Sequence, residues 1–289
     1  MSASSPLLNL DGHALSVSHL DRVLFAGDQT TKADVIAYYV LVAPLMLSIL
    51  RRRPVMRRRW PAGTSAEGFY ERQLPAGTPP WIHRVALPHD ARLVEYPLVG
   101  SRADLAWLAQ VGAIELHTPQ WRLHNQKPRV DRVVFDLDPG PGMDLHDCAA
   151  LALTIRDHLE RQGHRVVPVT SGRKGVHLYV PWAPSRDGPG LAFARSLADT
   201  LADSDDRIVT HQAKADRAGR ILIDWSQNSE HKSTVSPLSL RGTAGAGVAA
   251  VRRWSELSAP NLEQMTMAEA GETFGSHASK EIRQLCSWL

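Results

Sequence analysis

Cysteine is nearly missing from this chain. Only Cys148 and Cys286 occur among 289 residues, too few and too far apart for a disulfide framework or a zinc knuckle, and a reducing cytoplasm is the expected setting. The opening residues MSASSPLLNL lack a basic region followed by an apolar core, so no secretory leader is expected. The longest apolar stretch, Val35 to Leu50, is interrupted by Pro44 and falls short of the roughly 18 residues that a membrane span requires. A buried helix is its expected fate, with no membrane partner. Internal repeats, low-complexity tracts, RNA-recognition signatures and helix-turn-helix signatures are also lacking.

Net charge is only +3, a weak hint of a polyanionic partner, but its distribution says more. Arg51, Arg52, Arg53, Arg57, Arg58 and Arg59 crowd one stretch. Six cations that dense repel one another unless an anion or acidic side chains lie near, or unless they form a solvated face.

Hydrophobic spacing organises the rest. Thr30 or Thr31 caps a helix with Asp34 in its first turn, and Pro44 kinks or ends it. Pro54 to Trp60 and Phe69-Tyr70 read as strands of a small sheet, and Ala103 to Val111 as a helix stopped by Gly112. The centre alternates: strand Val130 to Asp138, helix Leu145 to Arg161, strands Val166 to Thr170 and Val176 to Pro181. A helix over Leu191 to Leu201, a strand Ile221 to Asp224 and a helical tail from Met267 follow. The expected class is α/β: a catalytic sheet with flanking helices and a smaller N-terminal αβ module, forming a cleft as one unit over 1–289.

The sharpest local signal is Val133-Val134-Phe135-Asp136-Leu137-Asp138-Pro139-Gly140. On a strand Asp136 and Asp138 share a face, and two carboxylates so close repel unless a divalent cation relieves them. Oxygen ligands suit Mg²⁺ or Mn²⁺ rather than zinc. An isolated Asp-x-Asp more often simply marks a solvated strand end before a turn. A third carboxylate, Asp224 at the end of Ile221-Leu222-Ile223, makes a two-metal phosphoryl-transfer site possible, although alone it reads as a cap. Ser171-Gly172-Arg173-Lys174-Gly175-Val176-His177 is either a plain glycine-containing hairpin or an anion-binding nest. It is not a Walker loop.

These three motifs, in this order and followed by Trp225-Ser226-Gln227-Asn228, resemble the polymerase domain of bacterial ligase D, a branch of the archaeo-eukaryotic primase superfamily. The similarity runs from about Leu15 to Trp254, leaving 256–289 as a C-terminal helical tail. Gly112-Ala113-Ile114-Glu115-Leu116-His117 and Ser236-Pro237-Leu238-Ser239-Leu240-Arg241 belong to it. The resemblance implies two-metal nucleotidyl transfer with Mn²⁺ or Mg²⁺ during repair of broken DNA ends by end joining. It implies that Asp136, Asp138 and Asp224 are the metal carboxylates. Ser171, Lys174, His177 and Arg241 would hold the triphosphate, with His117 and Gln227 beside the sugar and primer end. Arg58 would contact nucleotide, Arg59 and Arg217 DNA, and Phe69 and Tyr70 would stack on the template.

His19, Arg22 and Lys32 fall where the family grips a 5′ phosphate. Lys32 lies in a first helical turn, where free amides and the helix dipole favour an anion. The family usually carries Asn at His19 and Lys at Arg22 and Arg58, so these positions depart from its pattern. The implied partners are DNA with 5′-phosphate ends or gaps, ribo- or deoxyribonucleoside triphosphates, a Ku-type end-binding protein and a separate DNA ligase, in the nucleoid. A primer-independent primase, a non-catalytic end-bridging protein and a glycosyltransferase with a metal-binding Asp-x-Asp are the competing readings.

Overall fold

The computed structural model describes residues 6–185 and 189–289, so the first five residues of the stretch read for a leader lie outside it. Two short hairpins open the chain, β1 (Leu7–Leu10) with β2 (His13–Ser16) and β3 (Val23–Phe25) with β4 (Thr30–Thr31). Thr31 then caps α1 (Lys32–Leu50). Its hydroxyl accepts the Asp34 amide, and the Asp34 carboxylate accepts the Thr31 amide at 2.8 Å. A reciprocal cap of this kind is worth about 1 kcal/mol.

Of the two outcomes expected at Pro44, a kink or an end, the end is excluded, because α1 continues through it to Leu50. Pro44 lies on the exposed side, where water can satisfy the carbonyl one turn back, while Val42, Ala43, Leu45 and Met46 are buried beside it. At 19 residues α1 is also longer than the apolar stretch suggested, and apolar enough to cross a membrane by length and composition. Its place in the core accounts for that composition.

After α1 come β5 (Met56–Arg59), β6 (Phe69–Glu71) and a third hairpin, β7 (Arg84–His89) with β8 (Arg92–Pro97). Ser101 and Asp104 cap α2 (Arg102–Gln110), which packs on α1, and β9 (Ala113–Thr118) follows. The larger sheet then begins with β10 (Trp121–His124) and the thirteen-residue β11 (Lys127–Pro139). It is completed by α3 (Leu145–Arg161), β12 (Val167–Thr170), β13 (Val176–Ser185), α4 (Pro189–Ser204), β14 (Ile208–Val209) and β15 (Ile221–Asp224). The chain closes with β16 (Thr234–Val235), β17 (Ala250–Val251), α5 (Trp254–Leu257), α6 (Met267–Phe274) and α7 (Lys280–Ser287). Among the described residues the larger sheet runs β14-β15-β11-β13-β12-β17, with β10 also on β11, and the smaller runs β16-β9-β5-β6.

Strand alternation decides where the chemistry sits. Val133, Phe135 and Leu137 of β11, with Val176, Leu178 and Val180 of β13, bury one face of the large sheet against α3 and α4. Their neighbours Val134 and Tyr179 point the other way, into the core built around α1 and α2. Asp136, Asp138 and His177 share that second face by the period of two. The carboxylates therefore open toward the small sheet instead of the helices, and the cleft lies between the two sheets.

Candidate active site

Register brings the expected residues together. Asp136 is paired with His177 on β13 and with Asp224 on β15, so the central strand carries one partner on each side. His177 Nε2 lies 3.3 Å from Asp136 Oδ1, and its Nδ1 is buried without a hydrogen-bond partner. Asp138 follows two residues on. The negative charge of Asp136 and then burial push its carboxyl up to about 6, which is the repulsion a divalent cation removes.

Asp224 is held differently. Its Oδ1 accepts the Ser226 amide and hydroxyl, and its Oδ2 accepts the side-chain amides of Gln212 at 2.9 Å and Gln227 at 2.8 Å. Among the described residues no three His, Cys, Asp or Glu side chains are already drawn together closely enough to hold an ion. Asp136 and Asp138 supply the oxygen donors that a hard cation prefers, although Asp136 faces His177, and Asp224 would exchange a glutamine amide to join them. Gln227, expected beside the sugar, holds Asp224 here.

The turn after β15 is locked to the central strand. Asn228 accepts the Val134 amide at 2.8 Å and donates to the Val134 carbonyl at 2.7 Å, taking the place of a neighbouring strand just where β15 has ended. Gly140 lets the Arg217 backbone approach at a point where any Cβ would collide with its carbonyl. The Arg217 guanidinium then donates to the Asp138 carbonyl at 3.2 Å and lowers the Asp138 carboxyl electrostatically, so it lies beside the aspartate pair of β11.

The Ser171–His177 segment is a structured turn, not an open nest of free amides. Ser171 Oγ accepts the amides of Arg173 and Gly175, while Gln264 accepts the Gly172 amide at 2.7 Å. Gly175 is required because a side chain there would strike the Leu137 carbonyl. Anion contacts from this turn therefore fall mainly to side chains. Ser171, Arg173 and His177 line the cleft, a cavity of about 510 Å³ that also holds Asp136, Asp138, His117, Gln227, Tyr70 and Arg241. Lys174 is exposed at the apex, outside that lining.

Glu115 on β9 is fully buried and gathers the cations of the site. It accepts from His117 Nε2 at 2.9 Å, Arg173 at 3.0 Å and the Gly242 amide at 2.9 Å, with Arg241 Nε 3.4 Å away. Burial alone would raise its carboxyl, but the His117 bond, the Arg241 charge and the amide outweigh that and hold it well below the usual range. Burial lowers the His117 imidazole more than Glu115 raises it. A neutral imidazole facing an ionised carboxylate must carry its proton on Nε2, which leaves Nδ1 as an acceptor. Glu115 was not singled out from sequence as a site residue. The available signal was its two-residue spacing from His117 on a strand.

The arginine cluster divides, with Arg51 and Arg52 exposed to solvent and the other four drawn into the fold. Arg53 and Arg57 are wholly buried, paired with Asp131 at 2.8 Å and with Glu71 at 3.1 Å. Burial pushes Arg57 down to about 10. Arg58 lies over Trp60 and Tyr70, while Arg59 pairs with Glu71 at 3.0 Å and lies over Phe69. Phe69 and Tyr70 themselves are exposed.

At the start of α1, His19 is exposed with a left-handed backbone, Arg22 donates to the Pro61 carbonyl at 2.8 Å, and buried Lys32 donates to the Gln110 carbonyl at 3.2 Å. The helix amides there are already taken. Lys32 N–H bonds the Arg22 carbonyl, Ala33 N–H the Leu20 carbonyl and Asp34 N–H the Thr31 hydroxyl. An anion at this place would be held by side chains.

A metal-compatible carboxylate pair, a basic turn and a cationic wall in one cleft invite comparison with known proteins. A family model described as the LigD primase-polymerase domain matches residues 31–280. The chain belongs to this family. It is 40% identical over 265 residues to the multifunctional non-homologous end joining DNA repair protein LigD of Mycobacterium tuberculosis H37Rv, covering 88% of this chain and 35% of that protein. To the multifunctional non-homologous end joining protein LigD of Pseudomonas aeruginosa it is 31% identical over 242 residues, covering 80% of this chain and 28% of that one. The chain thus spans about a third or less of these relatives. The polymerase domain from Mycobacterium tuberculosis ligase D, solved in complex with DNA, superposes with a TM-score of 0.88 at 37% identity, over 93% of this chain and 98% of that one. The mixed α/β fold is that of the LigD polymerase domain.

Proposed function

We propose that this chain is a divalent-metal-dependent nucleotidyltransferase that extends or fills in DNA ends and gaps from a template during end joining. The observation that carries the reading is the strand register that sets Asp136 between His177 and Asp224, facing a cleft with Ser171, Arg173 and Arg241 on its wall. A pair of Mg²⁺ or Mn²⁺ ions, when bound, supplies activation of the primer 3′ hydroxyl and neutralisation of the triphosphate.

The chain's own residues do the remainder. Asp136 and Asp138 concentrate negative charge where cations are needed, and Asp224 joins them on leaving Gln212 or Gln227. Arg173 and Arg241 present positive charge to the triphosphate and to the charge that develops on the leaving pyrophosphate, with Lys174 reaching in from the turn's apex. His117 orients the nucleotide through its Nδ1 acceptor, and Arg217 braces the Asp138 end of the strand. The exposed rings of Phe69 and Tyr70 stack on template bases. A Ku-type protein and a separate ligase are the expected partners, in the cytoplasmic nucleoid.

Primer extension with Mg²⁺ or Mn²⁺ and with both nucleotide types tests this reading. Templated addition that disappears in Asp136→Ala supports it. Wild-type rates in an Asp136→Ala/Asp138→Ala double variant would sink it, and products formed without a primer would instead favour a primase. The carboxylate cluster speaks against a non-catalytic bridging protein, and the basic wall against a glycosyltransferase.

A further inference from the structure

The Ser171–His177 turn is held from behind as well as from within. Gln264, in the segment between α5 and α6, accepts the Gly172 amide at 2.7 Å and donates to the Gly175 carbonyl at 3.2 Å. One side-chain amide thus ties the two arms of the turn together, and the residues between the tied positions are Arg173 and Lys174. On another side the turn lies against backbone. A Cβ at Gly247 would strike the Gly172 carbonyl, and Gly172, at a φ of 72°, would drive any Cβ of its own into Val248. A turn pinned in this way has given up most of the freedom that its glycines would carry in isolation.

Gln264 is itself firmly placed. Leu262 packs into the core under α3 and α4 and Met265 into the core around α1, so the segment straddles both. The Met265 carbonyl accepts the Val248 amide at 2.9 Å, and Arg252 donates to the Glu263 carbonyl at 2.6 Å and to the Thr170 hydroxyl at 3.1 Å. Gln264 faces a separate cavity of about 540 Å³, lined also by Arg252, Glu263 and Glu269, whereas Ser171, Arg173 and Arg241 line the cleft. Its effect on a ligand in the cleft therefore passes through the turn.

We infer that Gln264 is a positioning residue for the incoming nucleotide, setting the turn so that the Arg173 and Lys174 side chains meet the triphosphate, an inference that rests on the polymerase reading. The Ser171 hydroxyl fixes the inside of the turn through the Arg173 and Gly175 amides, but it leaves the Gly172 amide and the outer side of the Gly175 carbonyl to Gln264. Without that bridge the apex is free to follow the pull of buried Glu115 on the Arg173 guanidinium, 3.0 Å away. Charged contacts to a reacting group are steep in position, and a displacement of about 1 Å is enough to cost one to two orders of magnitude. Position 264 lies in the stretch that reads from sequence as a helical tail beyond the motifs, so that stretch completes the site.

Steady-state extension of a primed duplex tests this, with nucleotide and duplex concentrations varied separately. Gln264→Met keeps the length of the side chain and loses both hydrogen bonds, and it stands in for Gln264→Ala if the smaller residue prevents folding. Either variant should raise the nucleotide KM about tenfold, with kcat changed far less and the KM for duplex unaltered. Coupling shows whether the effect runs through the turn: in a chain already carrying Arg173→Ala and Lys174→Ala, Gln264→Met should add nothing. An unchanged nucleotide KM in folded Gln264→Met, a duplex KM that rises as much, or a full additional loss in the Arg173→Ala/Lys174→Ala chain would overturn the inference. Calorimetric binding of Mn²⁺-ATP to the same proteins separates it from the polymerase reading. A parent that extends no primer yet binds Mn²⁺-ATP more tightly than Gln264→Met removes the polymerase reading and keeps the brace, whereas extension indifferent to the substitution removes the brace alone.

Discussion

Glu115 and His117, two residues apart on one strand, are joined by a 2.9 Å hydrogen bond in the buried wall of the cleft. The same carboxylate faces Arg173 and Arg241, so the pair sets both the tautomer of the imidazole and the resting place of two arginines. Removing its charge leaves those arginines confronting each other.

Glu115→Gln should therefore destabilise the fold by about 3 kcal/mol, the order observed when one partner of a buried ion pair is lost. A chemical-denaturation midpoint equal to that of the unaltered protein would refute this. The pH dependence has a definite sign. Because the folded-state carboxyl is held below its ordinary value, its stabilisation is fully present above the usual glutamate range and is drawn down as pH falls through and below it. Acid titration of stability should be shallower in Glu115→Gln.

Metal removal should expose the opposite behaviour at Asp138. With chelator present, the charge of Asp136 and burial keep its carboxyl near 6, above the unfolded value of about 3.9. Its contribution is then complete below about pH 4 and lost as pH rises through 6, so chelated protein should gain stability on mild acidification. Asp138→Asn should abolish extension, abolish thermal stabilisation by Mn²⁺ and flatten that pH trend. Mn²⁺ stabilising Asp138→Asn as much as the parent would show that the ion binds elsewhere.

Asn228 carries a structural load beside the site, since its side chain satisfies both backbone groups of Val134 in a buried setting. Asn228→Ala should cost roughly 3 kcal/mol, because a buried donor and acceptor are left unpaired. Extension should fall with it, as the turn carrying Gln227 and Asp224 loses its tie to β11. Asn228→Asp should rescue only partly, keeping an acceptor for the amide but losing the donor. A melting temperature unchanged in the alanine variant would mean that water replaces the side chain.

Where periodicity was strong, little of this needed a structure. Leu145–Arg161 and Ile221–Asp224 form as the pattern predicts, and the Asp136/Asp138 face follows from period two alone. What stayed hidden depends on long-range partners. Arg53 and Arg57 read as part of a cationic patch because Asp131 and Glu71, which permit their burial, arrive from other strands. Glu115 read as one residue of a motif because Arg173 and Arg241 lie far along the chain. The turn at Ser171 suggests free amides because only its folded path brings the Ser171 hydroxyl onto two of them. The helix does not end at Pro44 because exposure, not helix grammar, decides its cost.

The 5′-phosphate site is the prediction with most at stake in side chains. Lys32 and Arg22 approach closely enough that burial first, and then the Arg22 charge, lower the Lys32 ammonium. Both cations donate only to carbonyls, of Gln110 and Pro61, and these are weak substitutes for an anion. A phosphate dianion would relieve their repulsion although the α1 amides are already bonded. Gapped duplex bearing a 5′ phosphate should thus bind more tightly than its unphosphorylated twin, by about tenfold at low salt, with the preference shrinking as ionic strength rises. Lys32→Ala should erase the preference while leaving the unphosphorylated duplex nearly unaffected, and Arg22→Ala should do so in part. His19→Asn, which restores the residue usual in the family, should leave the preference intact or sharpen it. Anisotropy titrations of the two duplexes decide the matter, and equal affinities at low salt would reduce His19, Arg22 and Lys32 to a basic face without a phosphate to hold.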